Sequence, residues 1–559
     1  MKYGFIPIFW TNFLEYVNIK FMKRLAIYVY HNEMGVIEDY ALFYLKSLLE
    51  VADEIIVVIN GAIEKNELLK LNNPFIKIIQ RENKGYDFWA YRAGFFSIGS
   101  EKLKTFDEII FANSSVYGPI YPFFELFEKM REKRVDFWGI TKHQKTKNIK
   151  EHIQSYFFVV RKNLFLNPIF RLYFENLRKI KNKKEAIKHL EINFTEYFQN
   201  KGFKWGVFVD DDILNYGVEN YHQYLSFLAV EKFKCPVIKK TIFAKRYDLA
   251  LKEGQTDETY KLFEFIKNNT NYDINLILPD ILKIYSMDEI KEYLHLNFIL
   301  SNELRENFYS PKIAAFFDLS DETINGAILP YIKNMHGVVD IKGFNLSNKN
   351  EILKDAKIQI TDIQNFKKES LNYDYIFVFA PDKKVLSKFS NIEKINYTKH
   401  ILNCTFNNRI FLSNLINVFI KNKNIATLTP IPYTYKGFEI APCIINIKEL
   451  KTFLNLIKFI APYNVQFLNT ILPAIWLKKE LIEKIPDNFN LNKETTLNIG
   501  VIFSLFAQKF GFLSGSLSDV LSSKIYIDNL QYKVLNQNKF LSKLAYKVYK
   551  AFKKKWKTL

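Results

Sequence analysis

RLAIYVYH, residues 24–31, is the first of four short apolar runs that decide the fold of this chain. The others are EIIVVING (54–61), IKIIQ (76–80) and EIIFA (108–112), with an amphipathic segment (37–49) after the first. Strands that are apolar on both faces and alternate with helical segments are typical of a parallel sheet covered by helices. The pattern therefore predicts an α/β fold. Ligands of such sheets bind at the carboxyl ends of the strands, so we expect the site in the segments that begin at His31, Asn60, Arg81 and Asn113.

The run RENKGYDFWAYR (81–92) is the densest group of polar residues at a predicted strand end. Asn83 and Asp87 are suited to hydrogen-bond sugar hydroxyls or a base. Arg81 or Arg92 is suited to pair with a diphosphate. The same run also suits an ordinary helix start, in which Asn83 is the cap and Asp87 faces the helix dipole. Taken alone, the run favours the second interpretation.

FANSSVYGP (111–119) follows another predicted strand. Nucleotide-sugar enzymes often carry two acids at this place that hold a divalent cation, but here Asn113, Ser114 and Ser115 are neutral and bind cations poorly. The densest acidic run, 210–212, is better explained as a solvated turn. The sequence has no paired-histidine zinc motif, no nucleophile elbow and no P-loop, which removes the support for a hydrolase or a kinase.

Glu191 stands in EINFT (191–195), ahead of a predicted helix. A single glutamate at a helix start is usually a partner of the helix dipole. It becomes a candidate general base where the fold places it beside the hydroxyl group of an acceptor.

The second half of the chain repeats this layout weakly. Residues 312–335 parallel 24–48 as strand, polar loop and amphipathic helix, and 373–382 parallel 106–115. A third pair is 441–451 with 155–165. An internal duplication explains the three pairs, and chance similarity among apolar strands is the alternative. We expect five segments: an N-terminal aromatic segment (1–23), a first α/β domain (24–250), a helical connector (251–310), a second, degenerate α/β domain (311–535) and a basic amphipathic helix (536–559).

The 559 residues are too many for one hydrophobic core, and their formal net charge is +20. Eight lysines and no acid fall within residues 538–559, here called the basic tail. Apolar residues recur there every four positions: Phe540, Leu544, Val548, Phe552 and Trp556. A lysine-flanked apolar stripe predicts a helix that lies on an anionic membrane surface, and a terminal helix docked on the fold is the alternative.

The sequence shows neither a membrane-spanning segment nor a signal peptide. Its apolar runs are too short to span a membrane, and 1–21 lacks the features of a signal peptide. Three scattered cysteines without C-x-x-C spacing argue against a disulfide framework and against a cysteine zinc site, and they fit a reducing compartment. We expect a cytoplasmic protein, peripheral to the inner membrane.

Several motifs in order resemble the rhamnan synthesis protein F family of glycosyltransferases, which build rhamnose-containing wall, capsule or O-antigen polysaccharides. The motifs are DEIIVVIN (53–60), RENKGYDF (81–88), NSSVYGP (113–119), DFWGIT (136–141), HIQSYF (152–157) and EINFT (191–195), followed by GFKW (202–205) and CPVIKKTIF (235–243). The resemblance is dense over 24–250 and faint after 312. It implies GT-A-like domains and transfer of rhamnose, or a similar deoxyhexose, from a nucleotide donor such as dTDP-L-rhamnose to a lipid-linked, growing glycan.

The resemblance also implies roles for individual residues. Matching positions assign donor binding to Asn83, Gly85, Tyr86 and Asp87, with Asn113 and Ser115 beside the diphosphate. The strand-end argument adds His31, Asn60, Arg81 and Arg92 to the donor side. The acceptor side is lined by Asp136, Trp138, His152, Gln154 and Ser155. Glu191 is the base that takes the proton of the acceptor hydroxyl, while positive groups stabilise the departing diphosphate. A divalent cation, Mg²⁺ or Mn²⁺, stays open as a cofactor, because the family usually has Asn-Asp-Ser where this chain has Asn113, Ser114 and Ser115.

Two other classes of function remain to be weighed. A non-catalytic module that binds glycan or nucleotide sugar is the main alternative, and the serine at 114 favours it. Nucleic-acid binding accounts for the net positive charge and for no other feature of the sequence, since the chain has no RNP, KH or helix-turn-helix signature. We therefore expect no nucleic-acid partner.

The second domain lacks the family's Asn-x-Gly-x-Asp loop, which predicts a role in binding rather than in catalysis.

Overall fold

The computed structural model describes residues 22–147, 149–209, 225–243, 257–301, 303, 311–345, 356–431, 434–435, 439–440, 447–459, 473–487 and 499–528. The chain divides into two compact units between Asp280 and Ile281. The predicted helix at 536–559, the N-terminal segment 1–21 and the acidic run 210–212 lie outside the described residues.

The first unit is built on a seven-stranded sheet. Its strands are β1 (Arg24–Tyr30), β2 (Glu54–Asn60), β3 (Ile76–Arg81), β4 (Glu108–Asn113), β6 (Phe137–Gly139), β9 (Phe157–Arg161) and β10 (Trp205–Val207), in the order β10-β6-β9-β4-β1-β2-β3. Only β9 runs antiparallel to its neighbours. Two small ribbons join β5 (Val116–Tyr117) with β11 (Ile238–Lys239), and β7 (Lys142–His143) with β8 (His152–Ile153).

The described part of the first unit also contains helices. They are α1 (Asp39–Leu48), α2 (Lys65–Leu68), α3 (Tyr86–Phe96), α4 (Ser100–Leu103), α5 (Phe123–Arg131), α6 (Lys162–Phe165), α7 (Pro168–Glu175), α8 (Lys183–Ala186), α9 (Ile192–Gln199), α10 (Ser226–Glu231) and α11 (Glu258–Asn269), and α12 (Leu278–Ile284) spans the boundary between the units. One π-helical turn, Ile187–Glu191, connects α8 to α9.

The four predicted strands of the first unit are confirmed, and their burial explains them. Every residue of β1 and β4 is buried, as expected of central parallel strands that are covered on both faces. Phe111 of β4 stacks on Phe158 of β9 with ring centroids 4.8 Å apart. At the amino edge of the sheet Arg24 pairs with Glu108 at 2.7 Å, and both side chains are almost fully buried. The middle of the sheet is apolar and this ion pair occupies its amino edge. The carboxyl edge is therefore the place left for the polar groups of a site.

The second unit has an eight-stranded sheet. Its strands are β12 (Asn297–Leu300), β13 (Ile313–Asp318), β14 (Asp340–Phe344), β15 (Gln359–Ile360), β16 (Tyr375–Phe379), β17 (Ile425–Pro430), β20 (Ala474–Lys478) and β21 (Leu513–Asp519), in the order β12-β21-β17-β20-β16-β13-β14-β15. A separate ribbon pairs β18 (Thr434–Tyr435) with β19 (Glu439–Ile440). The helices are α13 (Met287–Tyr293), α14 (Glu322–Asn334), α15 (Phe366–Ser370), α16 (Lys383–Leu386), α17 (Asn391–Thr405), α18 (Arg409–Lys421), α19 (Ile447–Leu456), α20 (Lys479–Lys484) and α21 (Ile499–Lys509).

The two sheets share one topology. If β12 is set aside, strands β13, β14, β15, β16, β20, β17 and β21 follow the order and directions of β1, β2, β3, β4, β9, β6 and β10. The match extends to single hydrogen bonds. Asp107 Oδ2 accepts from the backbone N–H of Lys23, and Asp374 Oδ2 accepts from that of Lys312. Asp107 directly precedes β4 and Asp374 directly precedes β16, so the likeness of the two sheets extends to single residues.

This match corrects the third pair of the predicted duplication. The strand that corresponds to β9 is β20 (Ala474–Lys478), and not a strand within 441–451. Of that segment, 441–446 lies outside the described residues and 447–451 belongs to α19. The sequence AIWLKKELI (474–482) matches FFVVRKNLF (157–165) in its strand and in the helix start that follows.

Candidate functional site

The carboxyl ends of β1, β2 and β3 meet around the imidazole of His31. Its Nδ1 lies 2.7 Å from the carbonyl oxygen of Asn60, and since a carbonyl only accepts, Nδ1 carries the proton. Nε2 then accepts a hydrogen bond from the side-chain amide of Asn83 at 3.3 Å. The backbone N–H of His31 donates to Ser114 Oγ at 3.3 Å, which links this group to the end of β4. His31 is exposed and therefore accessible to a ligand.

Arg81 closes the loop that carries Asn83. One terminal nitrogen of its guanidinium donates to Asn60 Oδ1, and the other donates to the carbonyl of Lys84 at 2.6 Å. Asn60 is buried, so this hydrogen bond satisfies its side-chain oxygen. The guanidinium therefore shapes the loop as well as lining it.

Two consecutive residues of this loop have left-handed backbone conformations. Gly85, the N-cap of α3, has φ +81°, and Tyr86 has φ +59°. The second value is uncommon for a non-glycine residue and costs about 1 kcal/mol or more, the kind of strain that concentrates at functional sites. A Cβ at Gly85 would lie 2.3 Å from Cγ of Trp89, so the turn requires glycine on two grounds.

The side chain of Asn113 makes hydrogen bonds to three other residues of the site. Its buried amide nitrogen donates to Asp87 Oδ2 at 3.1 Å and to the hydroxyl of Tyr91 at 3.2 Å. Its oxygen accepts from the backbone N–H of Ser115 at 3.0 Å and from Ser115 Oγ at 2.6 Å. One side chain thus joins the end of β4 to the first two turns of α3.

Glu191 belongs to the same network. Its Oε1 accepts from the backbone N–H of Ser155 at 3.0 Å, while the Ser155 carbonyl accepts from the hydroxyl of Tyr91 at 2.9 Å. Hydrogen bonds therefore run from Asn113 through Tyr91 and Ser155 to Glu191. Glu191 is the last residue of the π-helical turn Ile187–Glu191, a type of turn found frequently at functional sites.

The two carboxylates of the site, Asp87 and Glu191, influence one another. Burial is the main cause that raises the pKa of Asp87 to about 6, and repulsion by Glu191 adds to it. Lys183 and His31 act in the opposite direction. Asp87 therefore changes its charge close to neutral pH, within reach of a second acid, which is an arrangement common in catalytic sites.

His152 and Gln154 lie next to this network. The His152 ring is buried, stacks on that of His143 with centroids 5.3 Å apart, and has its Nδ1 2.7 Å from the Lys150 carbonyl. Burial lowers the pKa of His152, and the carboxylate of Glu191 opposes that shift. Gln154 Oε1 accepts from the Thr141 hydroxyl at 2.8 Å, which holds it behind the site.

Three of the residues expected here are not brought to this group. Arg92 donates from Nε to the Phe174 carbonyl at 2.9 Å and stacks on Trp89, because it lies on the far half of α3. Trp138 is fully buried in the middle of β6. Asp136 precedes β6 at the amino edge, where its backbone carbonyl accepts from the N–H of Arg161. Asp136 and Trp138 therefore do not line an acceptor site at the carboxyl edge.

The residues at the end of β4 do not fit a metal ion. Within the described ranges no group of three His, Cys, Asp or Glu side chains is placed to hold one. Both lone pairs of the Asn113 oxygen are used by Ser115. Mg²⁺ or Mn²⁺ remains a prediction made from the sequence, and no step below passes through it.

Lys239 and Tyr91 belong to the site but were not expected there. Tyr91 connects Asn113 to Ser155, and Lys239 enters from β11 with Nζ 5.4 Å from the centroid of the Tyr156 ring. The motif CPVIKKTIF (235–243) contains Lys239, and its two adjacent lysines in an apolar strand were the available signal.

Comparison with known proteins identifies relatives over much of the chain. The model of a family described as rhamnan synthesis protein F matches residues 55–444, well over half of the sequence. The uncharacterized protein y4gN of Sinorhizobium fredii is 29% identical over 192 residues, which cover 34% of this chain and 50% of that protein. The virulence protein VirA of Vibrio anguillarum is 31% identical over 154 residues, covering 26% and 46%. The chain thus spans about half the length of the curated relatives it matches.

A solved structure that resembles the chain is the glycosyltransferase GlyE of Streptococcus pneumoniae TIGR4. The match covers 63% of this chain and 84% of that one, with 9% sequence identity and a TM-score of 0.25. No described helix of the chain is long and apolar enough to cross a membrane.

Proposed function

Because the chain belongs to the rhamnan synthesis protein F family, we propose that it is a glycosyltransferase of polysaccharide synthesis. Its donor is a nucleotide sugar, of which dTDP-L-rhamnose is the first candidate. Its acceptor is a lipid-linked glycan that becomes capsule, O-antigen or wall polysaccharide. The network from Asp87 through Asn113 and Tyr91 to Ser155 and Glu191 is the observation that carries this proposal, because it assembles polar groups from four elements at one sheet edge.

The donor side of the site is formed by the strand ends around His31. The exposed imidazole of His31 offers a stacking face to a nucleoside, while Asn83 and the loop at Gly85 and Tyr86 offer hydrogen bonds. Asp87 and Ser115 lie next to Asn113, at the end of β4. This arrangement agrees with the rule that ligands of parallel sheets bind at the carboxyl ends of the strands.

Glu191 is the proposed general base. Its carboxylate takes the proton of the acceptor hydroxyl while that oxygen attacks the anomeric carbon. The bond from the anomeric carbon to the diphosphate breaks, and its electron pair leaves with the nucleoside diphosphate. The Ser155 N–H holds one oxygen of Glu191 in place, so the base is oriented before the acceptor arrives.

The second unit has the same sheet but lacks an asparagine at the position of Asn113. Asn113 donates its backbone N–H to the Tyr156 carbonyl, and Ala380 donates its own to the Pro473 carbonyl at the matching place. Ala380 thus stands where Asn113 stands and has no amide to organise a site. We assign catalysis to the first unit and glycan or partner binding to the second.

Saturation-transfer NMR with a panel of nucleotide sugars tests the proposal. The panel contains dTDP-L-rhamnose, UDP-glucose, UDP-galactose and GDP-mannose, each with its free sugar as a control. We expect saturation transfer to at least one nucleotide sugar and to none of the free sugars. If none of the nucleotide sugars binds, the transferase function is contradicted. Binding without transfer in an assay with lipid-linked acceptors would instead favour a non-catalytic binding module, which the serine at position 114 supports.

The basic tail (538–559) is the proposed contact with an anionic membrane surface. Its eight lysines and apolar stripe supply the two attractions that a helix lying on a membrane needs. Flotation with vesicles that contain anionic lipid measures this contact. We expect the full chain to float and a chain ending at Gln537 to stay in the dense fraction, and equal flotation of the two would contradict a role of the tail.

A further inference from the structure

Lys239 is a residue of the site that the mechanism above leaves without a role. It is the last residue of β11 and pairs with Val116 of β5. The backbone N–H of the next residue, Lys240, donates to the Ser115 carbonyl at 3.0 Å. Main-chain hydrogen bonds therefore fix Lys239 beside the loop that follows Asn113.

The ammonium group of Lys239 is partly buried and has no ion pair among the residues that the structure describes. Its contact in the site is the face of the Tyr156 ring, 5.4 Å from Nζ to the centroid. Burial lowers the pKa of Lys239, while the Glu191 carboxylate acts to raise it and Lys183 to lower it. Withdrawing a cation from water without a counter-ion is costly, so a ligand anion would be favoured here.

Lys240 fixes the direction of Lys239. Lys240 is the first residue after β11, and its side chain and that of Lys239 contact different groups, so the two lysines diverge. Lys240 Nζ lies 2.8 Å from Asp280 Oδ2 and 2.6 Å from the Tyr40 hydroxyl. Tyr117 donates its hydroxyl to the same oxygen of Asp280 at 2.6 Å. A slip of β11 by one residue would exchange the lysines and break this buried group, so the register is strongly specified.

We propose that Lys239 binds the diphosphate of the nucleotide-sugar donor and stabilises it as it departs, and that Lys240 is a positioning residue. The inference rests on the proposed function and adds a group that the family resemblance did not nominate. When the anomeric C–O bond breaks, the electron pair stays on the oxygen of the terminal phosphate, which gains one negative charge. An ammonium group donates charge-assisted hydrogen bonds to that oxygen, and its positive charge lowers the barrier.

The test compares Lys239→Met with Lys104→Met in the full-length protein. Lys104 carries the same charge on an exposed turn ahead of β4, at the opposite edge of the sheet, where it pairs with Glu101. Calorimetric titrations use dTDP, dTMP and thymidine, and UDP with UMP and uridine as a second series. We expect Lys239→Met to weaken binding of the preferred diphosphate about 10- to 100-fold and leave the nucleoside unchanged. Lys104→Met should stay within about twofold of the wild type.

Each other outcome has a defined meaning. Unchanged diphosphate affinity in Lys239→Met overturns the role of Lys239 and leaves the transferase function intact. Failure of the wild type to bind any nucleotide overturns both. Circular dichroism establishes that the variants are folded, and Lys239→Arg, which keeps the charge, should recover a large part of the affinity. An equal loss in Lys239→Arg and Lys239→Met also overturns the proposal, because charge would then not be the cause.

Discussion

The side-chain amide of Asn113 donates a hydrogen bond to Asp87 across 3.1 Å, which ties the end of β4 to the first turn of α3. The choice of an amide at position 113 follows from its surroundings. Asp87 already lies near Glu191, so a third carboxylate would add repulsion and remove the donor that Asp87 and Tyr91 share. Asn113 therefore holds the two sides of the site together without adding charge.

Asn113→Asp should destabilise the first unit. We expect a loss of about 1 to 3 kcal/mol in the free energy of unfolding at pH 8, because the two hydrogen bonds that the buried Asn113 amide donates are lost and like charges approach. Urea unfolding at pH 8 and at pH 5 measures the effect, which should shrink at pH 5 as the carboxyl groups protonate. Asn163→Asp is the control, since exposed Asn163 also donates to an aspartate, Asp136, at the other edge. An equal loss in the two variants would contradict the role of Asn113.

The fold could be predicted from the sequence because the central strands, which are buried on both faces, have nearly continuous apolar sequences. β1 and β4 are buried on both faces, and their residues other than Arg24, Glu108 and Asn113, which lie at strand ends, are apolar or aromatic. The third pair of the duplication was misplaced because the apolar run before α19 resembles a strand as closely as AIWLKKELI (474–482) does. Only pairing with β16, a contact between distant residues, distinguishes them.

The site was predicted in part, and strand direction explains the difference. Asn83 and Asp87 come shortly after β3, and Asn113 is the last residue of β4, so their sequence position at the carboxyl ends of strands carried the information. Asp136 directly precedes β6 and therefore lies at the opposite edge. The two adjacent lysines of CPVIKKTIF were a local signal, but Lys239 reaches the site by pairing between β11 and β5, a contact between distant residues that the sequence does not reveal.

Asp87→Asn should make the protein more stable at neutral pH. Burial and Glu191 raise the pKa of Asp87 to about 6, above its ordinary value near 4 in the unfolded chain. The folded state therefore binds this proton more tightly, and the associated stability is complete below about pH 4 and lost as the pH rises through 6. The asparagine variant should gain on the order of 1 to 3 kcal/mol at pH 7.5 and nothing at pH 4.

Urea unfolding at the two pH values checks this expectation for Asp87→Asn, alongside nucleotide-sugar binding at pH 7.5. The variant should bind the donor more weakly, because a destabilising group kept in a site is typical of function. A variant no more stable than the wild type at pH 7.5 would show that the charged Asp87 carboxylate does not destabilise the folded protein.

Glu191→Gln should retain donor binding and abolish transfer. The amide oxygen of glutamine still accepts from the Ser155 N–H, so the π-helical turn keeps its shape while the proton acceptor is lost. Saturation-transfer NMR measures binding, and a transfer assay with a lipid-linked acceptor measures turnover. Glu196→Gln is the matched control, because Glu196 lies on the next turns of α9 and pairs with Lys150. Activity in Glu191→Gln would remove this residue from the mechanism.

Gly85→Ala should destabilise the loop that carries the donor residues. Gly85 has φ +81°, and an added Cβ would lie 2.3 Å from Cγ of Trp89, so both the backbone and the neighbouring ring would have to move. We expect a loss of more than 1 kcal/mol in the free energy of unfolding. Gly99→Ala provides the comparison, since nothing lies within 4 Å of its added Cβ, and should stay within about 0.5 kcal/mol. Similar values for the two would contradict the strain at Gly85.

Removing Lys240 alone should cost more stability than removing it together with Asp280. Lys240→Met leaves Asp280, which is almost fully buried, without its counter-ion, and breaking such a pair costs about 3 to 5 kcal/mol. Lys240→Met/Asp280→Leu replaces the pair by apolar groups and should recover much of that loss. Urea unfolding of the two single variants and the double variant gives the coupling energy, with Lys104→Met/Glu101→Gln as a surface pair whose coupling is about 0.5 kcal/mol or less. If the losses at Lys240 and Asp280 simply add, the pair does not fix the register of β11, and the direction of Lys239 must have another cause.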